Sequence, residues 1–253
     1  MNVVLTLLLL ALQSAPEEKP KTPADRDAIL RKAEELIEAR ETPGALEQAI
    51  VLLNGLFSDP GPGLPLLIDL ARAHALLVDT YDLGKQAEKP RHKEHREAGK
   101  IAATRALSID PQSGPAHYWN GILLLYSSDG EQSYAVLKQS VKELEIADRL
   151  SPDYDGAGPA RMLGRIYQQT PGWPLLGSNP KAIEYLERAR KSAPDNLRNG
   201  LWLGLSYETV GKTKPAREQL TFVLASKPHA GHELEEAALK KEAADHLKHL
   251  ESK

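Results

Sequence analysis

Residues Leu197 to Pro228 read LRNGLWLGLSYETVGKTKPAREQLTFVLASKP, and this stretch decides the fold. Leu197, Leu201 and Leu205, and then Leu220 and Val223, recur at steps of three and four, the spacing of one helix face. Gly211 interrupts the pattern and Pro228 stops it, because proline cannot continue a helical hydrogen-bond ladder. The stretch is therefore a helix, a short turn and a second helix. Gly204 and Ala216 are small, which lets two such helices approach closely. Upstream, the second-helix signature Ala216, Leu220, Val223, Pro228 returns with identical steps of 4, 3 and 5. It is found at Ala182, Leu186, Ala189, Pro194, at Ser140, Leu144, Ala147, Pro152, and at Gly99, Ala103, Ala106, Pro111. One helix pair is too small to bury its own apolar face, but stacked pairs make a continuous core.

The stretch resembles the tetratricopeptide repeat. With Leu197 as position 1, that pattern's Leu-Gly at 7 and 8, Tyr at 11, Ala at 20, large apolar residue at 24, small residue at 27 and Pro at 32 fall on Leu203-Gly204, Tyr207, Ala216, Leu220, Val223 and Pro228. Val223 is larger than usual for its place. The preceding repeat carries Leu163-Gly164 and Tyr167, with six extra residues in its turn. Further first helices are expected at Leu64 to Val78 and Pro115 to Tyr126, a weaker first pair at Ala28 to Arg40 and Ala45 to Phe57, and a charged cap at Glu233 to Leu250. The expected fold class is all-α: a tetratricopeptide-like solenoid of about five antiparallel helix pairs with a C-terminal capping helix, over residues 25–253.

Val3 to Leu12 is apolar apart from Thr6, then Gln13, Ser14 and Ala15 lead into a Pro/Glu/Lys-rich stretch. This reads as a signal peptide over 1–15 and a flexible linker over 16–24. The run is too short for a bilayer core of about 30 Å. The expectation is an exported, periplasmic or envelope-associated protein. It is not a lipoprotein, since the sequence has no cysteine to modify.

The absence of cysteine also removes disulfides, thiolate metal sites and cysteine nucleophiles. The 253 residues hold 32 Lys+Arg against 35 Asp+Glu, for a net charge of −3, which is not a nucleic-acid footprint. Gly211-Lys212-Thr213 echoes a phosphate loop, but Ser206 stands where the leading glycine belongs and no strand precedes it. His92/His95, His229/His232 and His246/His249 have i, i+3 spacing but no third ligand, and read as exposed charged faces. No catalytic motif has supporting context, so the chain is expected not to be an enzyme, and to need no cofactor or metal.

In a solenoid of this kind, positions 2, 5, 9 and 12 of each first helix are expected to face inward. These are Ile68 and Arg72; Tyr118, Ile122 and Leu125; Arg161, Arg165 and Gln168; and Arg198, Leu201, Leu205 and Glu208. Arginine forks suit carboxylates. Arg161 and Arg165 repel each other one turn apart, which points to an anion beside them, from the chain or from a ligand. Leu201 and Leu205 would hold an apolar portion of that ligand. Removing both arginines is expected to weaken binding and leave the fold intact. Trp173 sits in the rigid insert Pro171-Gly172-Trp173-Pro174 and reads either as a gap-filling plug or as part of a recognition loop.

The run from Gly156 to Tyr167, GAGPARMLGRIY, with the following Pro171-Gly172-Trp173-Pro174, resembles the T component of tripartite ATP-independent periplasmic transporters, over about residues 60 to 228. The resemblance implies a periplasmic protein that pairs with a solute-binding protein and handles an organic acid or another apolar-tailed ligand. It places Arg161, Arg165, Tyr167 and Trp173 by the inner surface and leaves a homo-oligomer open. The alternative is a general protein–protein interaction scaffold without a transport role.

Overall fold

The computed structural model describes residues 22–57, 62–127, 133–172 and 175–252. The expected leader, and Trp173 with it, lie outside the described residues. Eleven helices and no strand are present among them: α1 (Pro23–Glu38), α2 (Ala45–Phe57), α3 (Leu64–Asp79), α4 (Lys89–Ile109), α5 (Gly114–Leu125), α6 (Ser133–Leu150), α7 (Tyr154–Gln169), α8 (Asn179–Ser192), α9 (Leu197–Thr209), α10 (Thr213–Ala225) and α11 (Glu233–Glu251). None is long and apolar enough to cross a membrane.

The helix starts follow from short polar side chains. Ser113, Asn196 and Ser178 each accept a hydrogen bond from a backbone N–H in the next turn, opening α5, α9 and α8. Thr22 and Asp25 form a reciprocal capping box with Pro23 at the first helical position. That box starts α1 well before the expected Ala28. Residues 23 and 24, assigned to the linker on composition, belong to the helix.

Each helix packs on its neighbour in sequence. In addition α1 touches α3, α3 touches α5, α5 touches α7, α7 touches α9 and α9 touches α11. The even-numbered helices make no such contacts with one another among the described residues. The odd helices therefore form the inner layer of a solenoid and the even helices its outer layer, and α11 extends the inner layer.

The repeat register shows in the close approaches. A Cβ on Gly164 would lie 2.5 Å from Leu186 Cγ, and one on Gly204 would lie 3.0 Å from Leu220 Cγ. Positions 8 and 24 thus meet in both pairs.

Two large apolar cores result. One runs through α1 to α8 and contains Leu53, Leu67, Leu123, Leu144, Leu163 and Ala182. The other belongs to α9, α10 and α11, with Leu197, Leu201, Leu205, Leu220, Val223, Ala243 and Leu250.

Candidate functional site

The inner layer encloses a cavity of about 350 Å³. The lining residues come from the odd helices, except Arg40 in the turn after α1 and Tyr126 just after α5. Arg40, Arg72, Arg161, Arg165 and Arg198 stand in it against Asp79, Asp155 and Glu242. Arg72, Tyr118, Ile122, Arg161, Arg165 and Arg198, all expected from the repeat count, are brought together here. Leu125 lines an adjoining pocket of about 600 Å³, which shares Asp79, Tyr126, Met162, Arg165 and Trp202 with the cavity.

The arginines differ in what holds them. Arg161 is 3% exposed. Its Nη2 donates to Asp155 Oδ2 at 2.6 Å, and its Nη1 donates to the carbonyls of Asp155 and Gly156 at 3.0 Å each. Burial opposes its charge, but Asp155 and the Tyr118 hydroxyl hold its pKa above the ordinary arginine value. The anion expected beside Arg161 is therefore internal. The expectation that Arg161 can be removed with the fold intact is corrected: its guanidinium organises the backbone it touches. Asp155, Gly156 and Ala157 have φ of 53°, 59° and 62°, three successive left-handed residues, two of them not glycine. Such strain persists only where the surroundings over-determine it. Here Arg161 supplies that restraint, with Asn199 Nδ2 donating to the carbonyls of Gly156, Ala189 and Ala193.

Arg165 is half-buried and pairs differently. Its Nη1 donates to Gln168 Oε1 at 2.9 Å, and its guanidinium lies over the Trp202 ring, 5.1 Å from the centroid. With the Gln169 amide turned, its oxygen accepts from Arg165 Nε and Nη2. No carboxylate among the described residues is within ion-pair reach of Arg165. Burial lowers its pKa, and the more distant Glu242 opposes that shift. Arg72 donates to Glu38 of α1, not to Asp69 one turn back. Asp69 is pushed up to about 6, chiefly by burial. Arg198 Nε and Arg40 Nη2 lie 2.8 and 3.1 Å from the two oxygens of one carboxylate, Glu235 of α11.

Two hydroxyls complete the wall. Tyr118 Oη donates to Asp155 at 2.6 Å and Tyr126 Oη to Asp79 at 2.8 Å. Burial first, and then these carboxylates, hold both phenols well above their ordinary pKa, so both remain donors.

Leu201 and Leu205 do not line the cavity. Leu201 is fully buried, and both share one core with Leu239, Ala243, Leu247 and Leu250 of α11. The capping helix covers positions 5 and 9 of α9, which an open last repeat would leave inward-facing. Glu208, at position 12, accepts from neither arginine; the His246 and His249 rings lie against it at 2.6 and 2.8 Å. Sequence reasoning missed Arg40, Trp202, Leu239 and Glu242. Arg40, expected as the last residue of the first helix, lies in the turn after it, and reading α11 only as a charged cap hid its inner face. His92 and His95 are also corrected. His92 is buried, and His95 Nδ1 lies 3.1 Å from His74 Nδ1, because α4 turns this end of its polar face onto α3. Gly211, with φ of 73°, makes the turn from α9 to α10. No group of three His, Cys, Asp or Glu side chains among the described residues is placed to hold a metal.

No protein-family profile and no curated protein sequence matches the chain. Solved structures do. A thermophilic tetratricopeptide-repeat protein of Thermus thermophilus matches with a TM-score of 0.63 and 19% identity, over 87% of this chain and 98% of that one. PilF of Pseudomonas aeruginosa matches with a TM-score of 0.53 and 18% identity, over 89% of this chain and 93% of that one. These likenesses establish the tetratricopeptide solenoid as the fold. The resemblance to the transporter T component finds no support in them.

Proposed function

We propose that this chain is a non-catalytic binding scaffold whose inner cavity receives an acidic segment of a protein partner. The observation that carries the reading is that one cavity arginine has no ion pair among the described residues, whereas Glu235 holds Arg40 and Arg198, Glu38 holds Arg72 and Asp155 holds Arg161 in the cavity wall. Arg165 stands in it with amide and aromatic neighbours but no ion-pair partner among the described residues. A half-buried cation without a counter-charge favours an incoming carboxylate. The adjoining apolar pocket, with Leu125, Leu137, Ile166 and Trp202, would hold a neighbouring apolar side chain of the same segment. Residues 1–15 would act as the export signal and place this binding in the cell envelope.

A photo-crosslinking residue at Met162, inside the cavity, should capture the partner in living cells. The same residue at Ile101, 61% exposed on α4, should not. Arg165→Glu should abolish the Met162 product. Capture that survives this charge reversal would show that the partner does not bind through Arg165 in the cavity. For export, N-terminal sequencing of the mature protein should begin near residues 15 to 17, and a product that keeps Met1 would refute the leader.

A further inference from the structure

The two ends of the solenoid meet. Helix α11 lacks a side-chain cap of its own, since His232 at its N-cap makes no such bond. The cap comes from the other end of the chain. Glu41, in the turn after α1, accepts the backbone N–H of Leu234 at 2.9 Å and of Glu235 at 2.7 Å. A carboxylate suits the positive end of a helix dipole. Burial works against the Glu41 charge, yet these two N–H groups hold its pKa below the ordinary value. Beside it, Glu235 bridges Arg40 of the same turn and Arg198 of α9.

These contacts do two things at once. They tie α11 to the first helix pair, so the inner layer closes into a ring with Leu239 and Glu242 as part of the cavity wall. They also occupy two of the five cavity arginines with an internal carboxylate. The tie is polar, whereas α11 is held on its other side by the separate core it shares with α9 and α10. A polar tie across the ring is the weaker seam, because partly exposed ion pairs contribute little and are screened by salt.

We propose that Glu41 and Glu235 form a latch that holds the ring shut and masks Arg40 and Arg198, and that an acidic segment opens it by displacing Glu235. The masking half rests on the cavity reading above. The latch itself does not.

The chain has no cysteine, so two introduced ones label specifically. Spin labels on Arg31→Cys of α1 and Lys241→Cys of α11, both exposed positions, report the closure by pulsed electron resonance. The full chain should give one dominant narrow distance peak at low salt. Glu41→Ala with Glu235→Ala should lengthen and broaden it with unchanged helical circular dichroism. About 1 M salt, where the screening length is about 3 Å, should do the same without mutation. A distribution unmoved by both treatments overturns the latch. Binding of a hexaglutamate peptide is then compared between Glu235→Ala and the parent. Unmasking should tighten it about tenfold if about one parent molecule in ten is open. Opening with equal affinity in both overturns the masking. Opening with no peptide binding in either supports the latch and overturns the cavity reading.

Discussion

The pairs α7–α8 and α9–α10 are written in one register and built to different ends. Both place Leu-Gly at positions 7 and 8, Tyr at 11, and Ala and Leu at 20 and 24. Both pack a small residue of one helix against a leucine of the other. They part at positions 5 and 9. The α7 helix has Arg161 and Arg165 there, and α9 has Leu201 and Leu205. In α9 these residues join a core with the capping helix. In α7 they are cations facing a cavity, and the helix begins with a left-handed backbone that one of them holds in place. The same frame holds two buried leucines in α9, and in α7 one arginine paired within the chain and one without an ion pair among the described residues. What decides it is whether another helix covers the face.

The difference between the two pairs rests most heavily on Asp155. Asp155→Ala leaves the Arg161 guanidinium buried without its counter-charge, which should cost about 3–5 kcal/mol. Urea unfolding reads this directly. A loss below about 1 kcal/mol would mean that Arg161 needs no partner and that α7 differs from α9 in composition only. Acid should act elsewhere, outside both pairs. Burial, and then the neighbouring His95, hold His74 at about 3. The unfolded chain carries this group near 6.5, so it binds the proton first as the pH falls. Stability from this site is full above about pH 6.5 and declines toward pH 3. The loss between about pH 7 and about pH 5 should be about 2 kcal/mol, at about 1.4 kcal/mol per unit. His74→Leu should flatten that slope in melts across the range, and a slope unchanged in the variant would place the acid response in another group.

The glycines at position 8 should respond less strongly. Gly164→Ala forces a Cβ to 2.5 Å from Leu186 Cγ and 3.1 Å from the Ala182 carbonyl, and should cost about 1–3 kcal/mol. Gly204→Ala meets Leu220 at 3.0 Å, and the gain in helix propensity offsets part of that crowding. Its effect should stay within about 1 kcal/mol. Melting points in the reverse order would mean that the six-residue insertion loosens the α7–α8 pair. Arg165→Gln should change stability least, by about 1 kcal/mol or less, because that cation has no ion pair to lose.

The solenoid was legible because its signals are local and repeated. The Leu-Gly, Tyr, Ala and Pro spacings set helix pairs, register and close approaches without reference to distant residues. Arg72, Arg161, Arg165 and Arg198 were legible for the same reason, since positions 2, 5 and 9 of a repeat have a known direction. Arg40 and the inner face of α11 were not. Their roles come from the closing of the ring, which joins residues 195 apart in sequence through Arg40 and Glu235, with Glu41 and Leu234 beside them. No periodicity encodes that contact. The burial of Leu201 and Leu205 escaped because α11, read as a charged cap, was given no apolar face toward α9. The Arg161–Asp155 pair was half legible. Two arginines one turn apart implied an anion, but not the left-handed turn that brings Asp155 back onto its own helix.

The claim that the inner cavity takes acidic segments is tested most directly by calorimetry with hexaglutamate and hexalysine peptides, on the full chain and on Arg165→Glu. Hexaglutamate should bind the parent chain, hexalysine should not, and the charge reversal should weaken hexaglutamate about tenfold or more with circular dichroism unchanged. Equal affinity for the two peptides, or an Arg165→Glu protein that binds hexaglutamate as the parent does, would contradict it.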